Sequence, residues 1–183
     1  HYGFTLESCS RLLMPITWVN MGQSISSALA TGATTVYVGP GTYNEMITPS
    51  SGVTLVSPGR DSHINGTGFK SCIEILGKSD IVIDGFTFTN EGGAPVGWSI
   101  AGGIAIRDLG NVGGTGSHDI TIKNCTFKDI NRQDGTEGAI SLLFGSYATT
   151  SLGHTNCYNI DIQDCTFYPN QADLIDFELG VSH

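Results

Sequence analysis

IVIDGFTF at Ile81–Phe88 is written twice more in the chain, as ITIKNCTF at Ile120–Phe127 and IDIQDCTF at Ile160–Phe167. In each copy the first and third positions are apolar, then the sixth and eighth, so two period-2 strands meet at a bend where the parity shifts by one residue. Gly85, Asn124 and Asp164 fall at that bend, and these residue types tolerate the left-handed backbone that a sharp corner needs. If the copies stack, Phe88, Phe127 and Phe167 form one interior ladder, and Cys125 and Cys165 sit one rung apart.

A shorter stretch recurs between the copies: VYV at Val36, IEI at Ile73, IAI at Ile104, ISL at Ile140 and IDF at Ile175, at intervals of 37, 31, 36 and 35 residues. Constant strands joined by loops of variable length give such near-regular spacing. Strands too short to bury a face alone, repeated at this period, mark a solenoid in which each coil completes its neighbour's core. The expected fold is therefore all-β, a single-stranded parallel β-helix of about five coils. Ser24–Ala30 (SISSALA) is expected to form a short capping helix, with Ser24 as N-cap and Gly32 as the stop. The repeat domain is placed at 23–183. Residues 1–22 do not fit it and form an extension with two candidate donor strands, Phe4–Glu7 and Ile16–Val19.

The bulk properties exclude several classes. Eight Lys and Arg against 17 acids give a net charge of −9, which disfavours a nucleic-acid-binding surface. No apolar run approaches the roughly 18–20 residues of a membrane span, and no basic-then-apolar leader is present. Five cysteines leave at least one unpaired within the chain. Cys125 and Cys165 read as stacked thiols first and as a disulfide second, while Cys9 is a candidate to pin the N-terminal segment to another cysteine.

The stretch Val36–Glu45 (VYVGPGTYNE), preceded by a helix and followed by GVTLVS at Gly52–Ser57, resembles the opening of the pectin-lyase-like parallel β-helix superfamily. That resemblance extends to about Ile175 and implies a right-handed coil. The superfamily includes pectate lyases, polygalacturonases, pectin methylesterases and phage tailspikes, so the scaffold alone does not name an activity. The Asn-Thr-Asp, paired Asp, Gly-His-Gly and Arg-Ile-Lys motifs that the resemblance would require of a polygalacturonase are missing.

The nearest chemistry lies on the outward face of the shorter strand. Glu74, Ala105, Ser141 and Asp176 make one row, and Leu76, Arg107, Leu143 and Glu178 the next. Arg107 and Asp108, joined by Arg132, Asp134 and Glu137 from another loop, are the weak catalytic candidates, and Trp98 is the candidate sugar-stacking platform. A solvated β-face with scattered charges is the competing account. His118 and His154 have no partner at metal-ligand spacing. No cofactor is expected, and Ca²⁺ on Asp173, Asp176 and Glu178 is the one ion the acids suggest. Asn65 and Asn124 begin N-glycosylation sequons, Asn65 being the favoured site.

These features favour a structural subunit of an extracellular, cell-surface or virion assembly, a homo-oligomer or polymer joined end to end. Phe4, Leu6, Ile16 and Trp18 would dock on the strand carrying Leu174, Ile175 and Phe177, where no capping helix follows the last coil. The alternatives are a polysaccharide lyase or hydrolase, or a non-catalytic carbohydrate-binding module.

Overall fold

The computed structural model describes residues 15–92, 102–107, 116–130, 138–143, 157–168 and 173–178. In chain order the elements are β1 (Ile16–Val19), α1 (Ile25–Ala30), β2 (Thr35–Val38), β3 (Gly41–Tyr43), β4 (Thr54–Val56), β5 (Ser62–Asn65), β6 (Ser71–Leu76), β7 (Ser79–Asp84), β8 (Thr87–Asn90) and β9 (Gly102–Arg107). They continue with β10 (His118–Lys123), β11 (Thr126–Ile130), β12 (Gly138–Leu143), β13 (Tyr158–Gln163), β14 (Thr166–Phe167) and β15 (Asp173–Glu178). Of β12, and of β15 apart from Ile175, the backbone path alone is described.

The described residues are all-β apart from α1, and their strands form three parallel sheets: β1-β2-β4-β7-β10-β13, then β3-β5-β8-β11-β14, then β6-β9-β12-β15. Parallel neighbours cannot be joined by a hairpin and need a long crossover. Here strands of the other two sheets supply it. From β4 onward the chain visits the three sheets in the same order each time, and Ile47, bridged to Ile73, takes the third sheet's place one rung earlier. The rungs lengthen along the chain, from the 19 residues between paired Val36 and Leu55 to the 40 between paired Ile122 and Ile162.

Parallel strands buried on one face read as columns of aliphatic residues. Val36, Leu55, Ile83 and Ile122 are aligned in the first sheet, and Ile73 and Ile104 in the third; all six are fully buried. In the second sheet Tyr43, Ile64, Phe88, Phe127 and Phe167 are in register. The expected phenyl ladder is present. Phe88 and Phe127 stack at 5.1 Å with planes 21° apart, and Phe127 and Phe167 at 5.1 Å and 9°, distances that suit offset stacking.

The bend residues behave as their chemistry requires: Gly85, Asn124 and Asp164 have φ of 87°, 54° and 49°. The corners are tied together across rungs. Arg60 Nη2 donates to Asn124 Oδ1 at 2.8 Å, and Asn124 Nδ2 donates to Asp84 Oδ1 at 2.7 Å. A second left-handed column, Asp80, Asp119 and Asn159, opens the first-sheet strands of the same three rungs.

Two expectations need correction. VYV at Val36 does not belong with IEI at Ile73. It is β2, paired with β1 and β4, so Thr35–Tyr43 is itself a bent double strand whose corner is Gly39-Pro40. Ile16–Val19 is likewise part of the fold, because β1 pairs in parallel with β2 from Ile16↔Thr35 to Val19↔Val38. Its inward Val19 is buried, whereas Ile16 and Trp18 point out and Trp18 stacks on Tyr37 at 4.7 Å. Phe4 and Leu6 lie outside the described residues.

The capping helix forms as expected, with the Ser24 side chain accepting from Ser27 N at 3.1 Å. Glu45 adds a cap that the local sequence does not announce. Its carboxylate accepts from Ile25 N at 2.8 Å, Ser26 N at 3.1 Å and Ser24 Oγ at 2.9 Å, where the amide ends of the helix favour negative charge. Ile25 and Ala28 are buried against the first rung.

Candidate functional site

The third sheet holds the row read from sequence as the nearest candidate for chemistry. Pairing of β6, β9, β12 and β15 aligns Glu74 with Ala105, Ser141 and Asp176, and Leu76 with Arg107, Leu143 and Glu178, as the spacing implied. The charges on the described part of this face are not free in solvent. Arg107 forms an ion pair with Glu74 on the neighbouring rung, their side chains are only 19% and 14% exposed, and Ala105 between them is buried.

Burial lowers the Arg107 pKa, but a guanidinium starts so high that it stays charged. Held by Glu74, Arg107 is a poor proton acceptor. Among the described residues its Nε is buried without a hydrogen-bond partner. The other residues proposed for this site, Asp108, Arg132, Asp134, Glu137 and Trp98, lie outside the described residues, as does His154. For Leu174, Phe177, Asp173, Asp176 and Glu178 only strand positions are described, and Ile175 packs partly buried against the core.

Among the described residues no cluster of three or more His, Cys, Asp or Glu could hold a metal. His118 is engaged elsewhere: its Nδ1 lies 2.8 Å from Asp119 Oδ2 and its ring stacks on Tyr158 at 4.7 Å and 3°. Asn159 donates to the other Asp119 oxygen at 2.9 Å, and these hydrogen bonds, that from Asn159 first, hold the Asp119 carboxyl below the usual range. Asn65 closes β5, where its amide donates to Asn44 Oδ1 at 2.9 Å and its oxygen accepts from Thr67 N at 3.1 Å.

The outer face of the second sheet holds a polar row that no sequence motif announces. Thr42, His63, Thr87, Thr126 and Thr166 are in register. His63 lies 2.7 Å from Thr89 Oγ1 through Nε2 and 3.5 Å from Thr42 Oγ1 through Nδ1. Alternation in Ser62-His63-Ile64-Asn65 was the available signal for an outward histidine. Burial, aided by the Lys128 charge and opposed by Asp129, lowers the His63 pKa.

A histidine depressed in the folded state binds fewer protons there than in the unfolded chain. Stability is therefore retained above the unfolded value, about 6.5, and declines as pH falls from there towards the lower folded value. His63→Gln is expected to flatten that part of the profile of melting temperature against pH. An unchanged slope in the variant would assign the decline to other groups.

Large apolar side chains reach the surface mainly at the two ends of the sheet order. Ile16 and Trp18 on β1, Met21 just after it, Tyr158 on β13 and Tyr168 just after β14 are exposed; Phe69 alone among the described residues of this kind lies between. The last rung also departs from the others in its core row. Ile120, Ile122, Cys125 and Phe127 are buried, but their partners Ile160, Ile162, Cys165 and Phe167 are only partly so.

Compared by sequence and by structure with known proteins, the chain is matched by no family model, no curated protein and no solved structure.

Proposed function

We propose that this chain is a right-handed parallel β-helix of the pectin-lyase-like kind whose role is structural, with copies joining end to end in an extracellular, cell-surface or virion assembly. The recurring sheet order and the shared apolar column support the coil. The observation that carries the assembly is the β13–β14 rung, where Ile160, Ile162, Cys165 and Phe167 are only partly buried. The occupant over that rung is a second copy. Its β1 continues the first sheet beyond β13, since both strands run in the same direction and each has one partner among the described residues. Strand addition supplies backbone hydrogen bonds, and Trp18 and Ile16 extend the outer rows.

Magnitudes make this contact modest. Covering four or five half-buried apolar side chains contributes about 1 kcal/mol each, and the added strand a few more. Ordering two bodies costs at least roughly 4 kcal/mol, so association is expected on the order of millimolar or weaker. A net charge of −9 on each copy opposes contact, so added salt should strengthen it. A contact between unlike ends propagates unless it closes into a ring.

Polysaccharide cleavage has less support, because Arg107, one of its two candidate bases, is engaged by Glu74; the other, Arg132, lies outside the described residues. Light scattering over a dilution series reaching millimolar concentration should give masses rising in steps of 19.3 kDa, larger at high salt. Trp18→Lys, at a position 60% exposed in the single copy, should abolish the rise without unfolding the chain, because a charge on an edge strand blocks pairing. A wild-type chain that stays at one copy throughout contradicts end-to-end association.

A further inference from the structure

The corners between the first and second sheets place two thiols side by side on neighbouring rungs. Lys123 pairs with Gln163 and Thr126 with Thr166, which brings Cys125 opposite Cys165. Thr166 N donates to Cys125 O at 2.8 Å, so the backbones are hydrogen-bonded at that point. Parallel neighbours lie about 4.8 Å apart, within the Cα separation that a disulfide spans. The Cys165 sulfur lies 3.7 Å from Ile122 O, a carbonyl of the rung that carries Cys125. Both residues are nevertheless free thiols.

Their surroundings differ. Cys125 is buried, while Cys165, on the last rung, is half-buried and open to small reagents. Interaction between the two neighbouring thiols draws Cys165 below the ordinary thiol range and, with burial, pushes Cys125 up. Cys72, wholly buried and raised to about 12 by desolvation, is inert by comparison.

We propose that Cys125 and Cys165 are an oxidation-sensitive dithiol, closed to a disulfide by a hydroperoxide, that fastens the last rung to the one before it. The Cys165 thiolate attacks the outer peroxide oxygen, the O–O bond breaks, and the alkoxide leaves as an alcohol with the proton given up by the thiol. Cys165 is then a sulfenic acid. Cys125 releases its proton and its sulfur attacks the Cys165 sulfur. The S–O bond breaks and hydroxide leaves with that proton as water. Two thiols are oxidised by two electrons, and one peroxide is reduced to an alcohol and water.

The bond closes the 40 residues from Cys125 to Cys165, one full rung, and so removes unfolded-state freedom from the part of the column with the fewest neighbours. This inference rests on the rung pairing and the two sulfurs, and stands whether or not copies associate end to end.

The test uses the dispersed wild-type chain treated with hydrogen peroxide near neutral pH. Intact mass is expected to fall by about 2 Da, for two hydrogens lost, and peptide mapping to place the crosslink between Cys125 and Cys165. The melting temperature should rise and return on reduction with dithiothreitol. In Cys125→Ser, Cys165 should stop at a sulfenic acid trapped by dimedone, while Cys125 in Cys165→Ser should stay unmodified. Wild-type chain in which Cys165 goes on to sulfinic acid beside an intact Cys125 thiol, or in which neither cysteine changes, overturns the proposal. Both wild-type outcomes are read without any variant having to fold.

Discussion

Phe127→Ala is expected to destabilise the chain by about 3–5 kcal/mol, the usual range for removing a buried phenyl ring. The ring is fully buried and stacked on both sides, against Phe88 and Phe167 at 5.1 Å each. Each lost stack adds roughly 0.5–1.5 kcal/mol beyond the area term. Against a total stability of about 5–15 kcal/mol this is a large fraction, and the urea midpoint should fall accordingly. Phe167→Ala is the internal control. Among the described residues that ring has one aromatic neighbour and is only partly buried, so its loss should cost about half as much. Equal costs at the two positions would mean that the phenyl column does not end at Phe167.

Gly85→Ala should be the most damaging substitution at a single carbon. Two penalties coincide at that corner. The backbone is left-handed, with φ of 87°, which costs a non-glycine residue about 1–3 kcal/mol. An added Cβ would also sit 2.6 Å from the carbonyl oxygen of Ser57, a backbone atom that cannot swing aside. Together they should remove about 3 kcal/mol or more. Gly52→Ala separates the two effects, because φ there is 76° but nothing lies within 4 Å of the new carbon. Its expected cost is about 1 kcal/mol. If denaturant melts give the same loss at both glycines, the close approach of the Ser57 and Gly85 corners is wrong.

The parts of the fold legible in sequence are those in which one residue carries one constraint. Phe88, Phe127 and Phe167 announce a column because their spacing repeats, and Gly85, Asn124 and Asp164 announce a corner because few residue types accept its φ. Asp80, Asp119 and Asn159 were equally readable, each standing one place before the aliphatic pair of its copy. The first bent strand, Thr35–Tyr43, is not legible as one, because Gly39-Pro40 turns its corner and the positive φ falls one place later, on Gly41 at 142°. Glu45 as a helix cap was not legible, since its partners are about twenty residues away in the chain and adjacent only once β3 is laid down.

The candidate site was legible as a register but not as chemistry. Spacing alone aligned Glu74, Ala105 and Arg107 on one face, yet the ion pair that occupies Arg107 follows from the approach of β6 to β9. His63 was missed for the opposite reason. A search for metal ligands and catalytic motifs ignores a lone outward histidine, and its environment is made by Thr42 and Thr89 from the rungs on either side.

In the proposed coil the three sheets share one apolar column, covered by α1 at one end and only partly buried at β13 and β14. Amide hydrogen exchange on the dispersed chain, read by peptide, tests it most directly. Amides of β7, β8, β10 and β11 should exchange slowest, with protection falling by orders of magnitude through β13 and β14, whose inner residues are half-buried. Protection in β13 and β14 equal to that in β7 and β10 would contradict an open end, and independent protection of the three sheets would contradict a shared column.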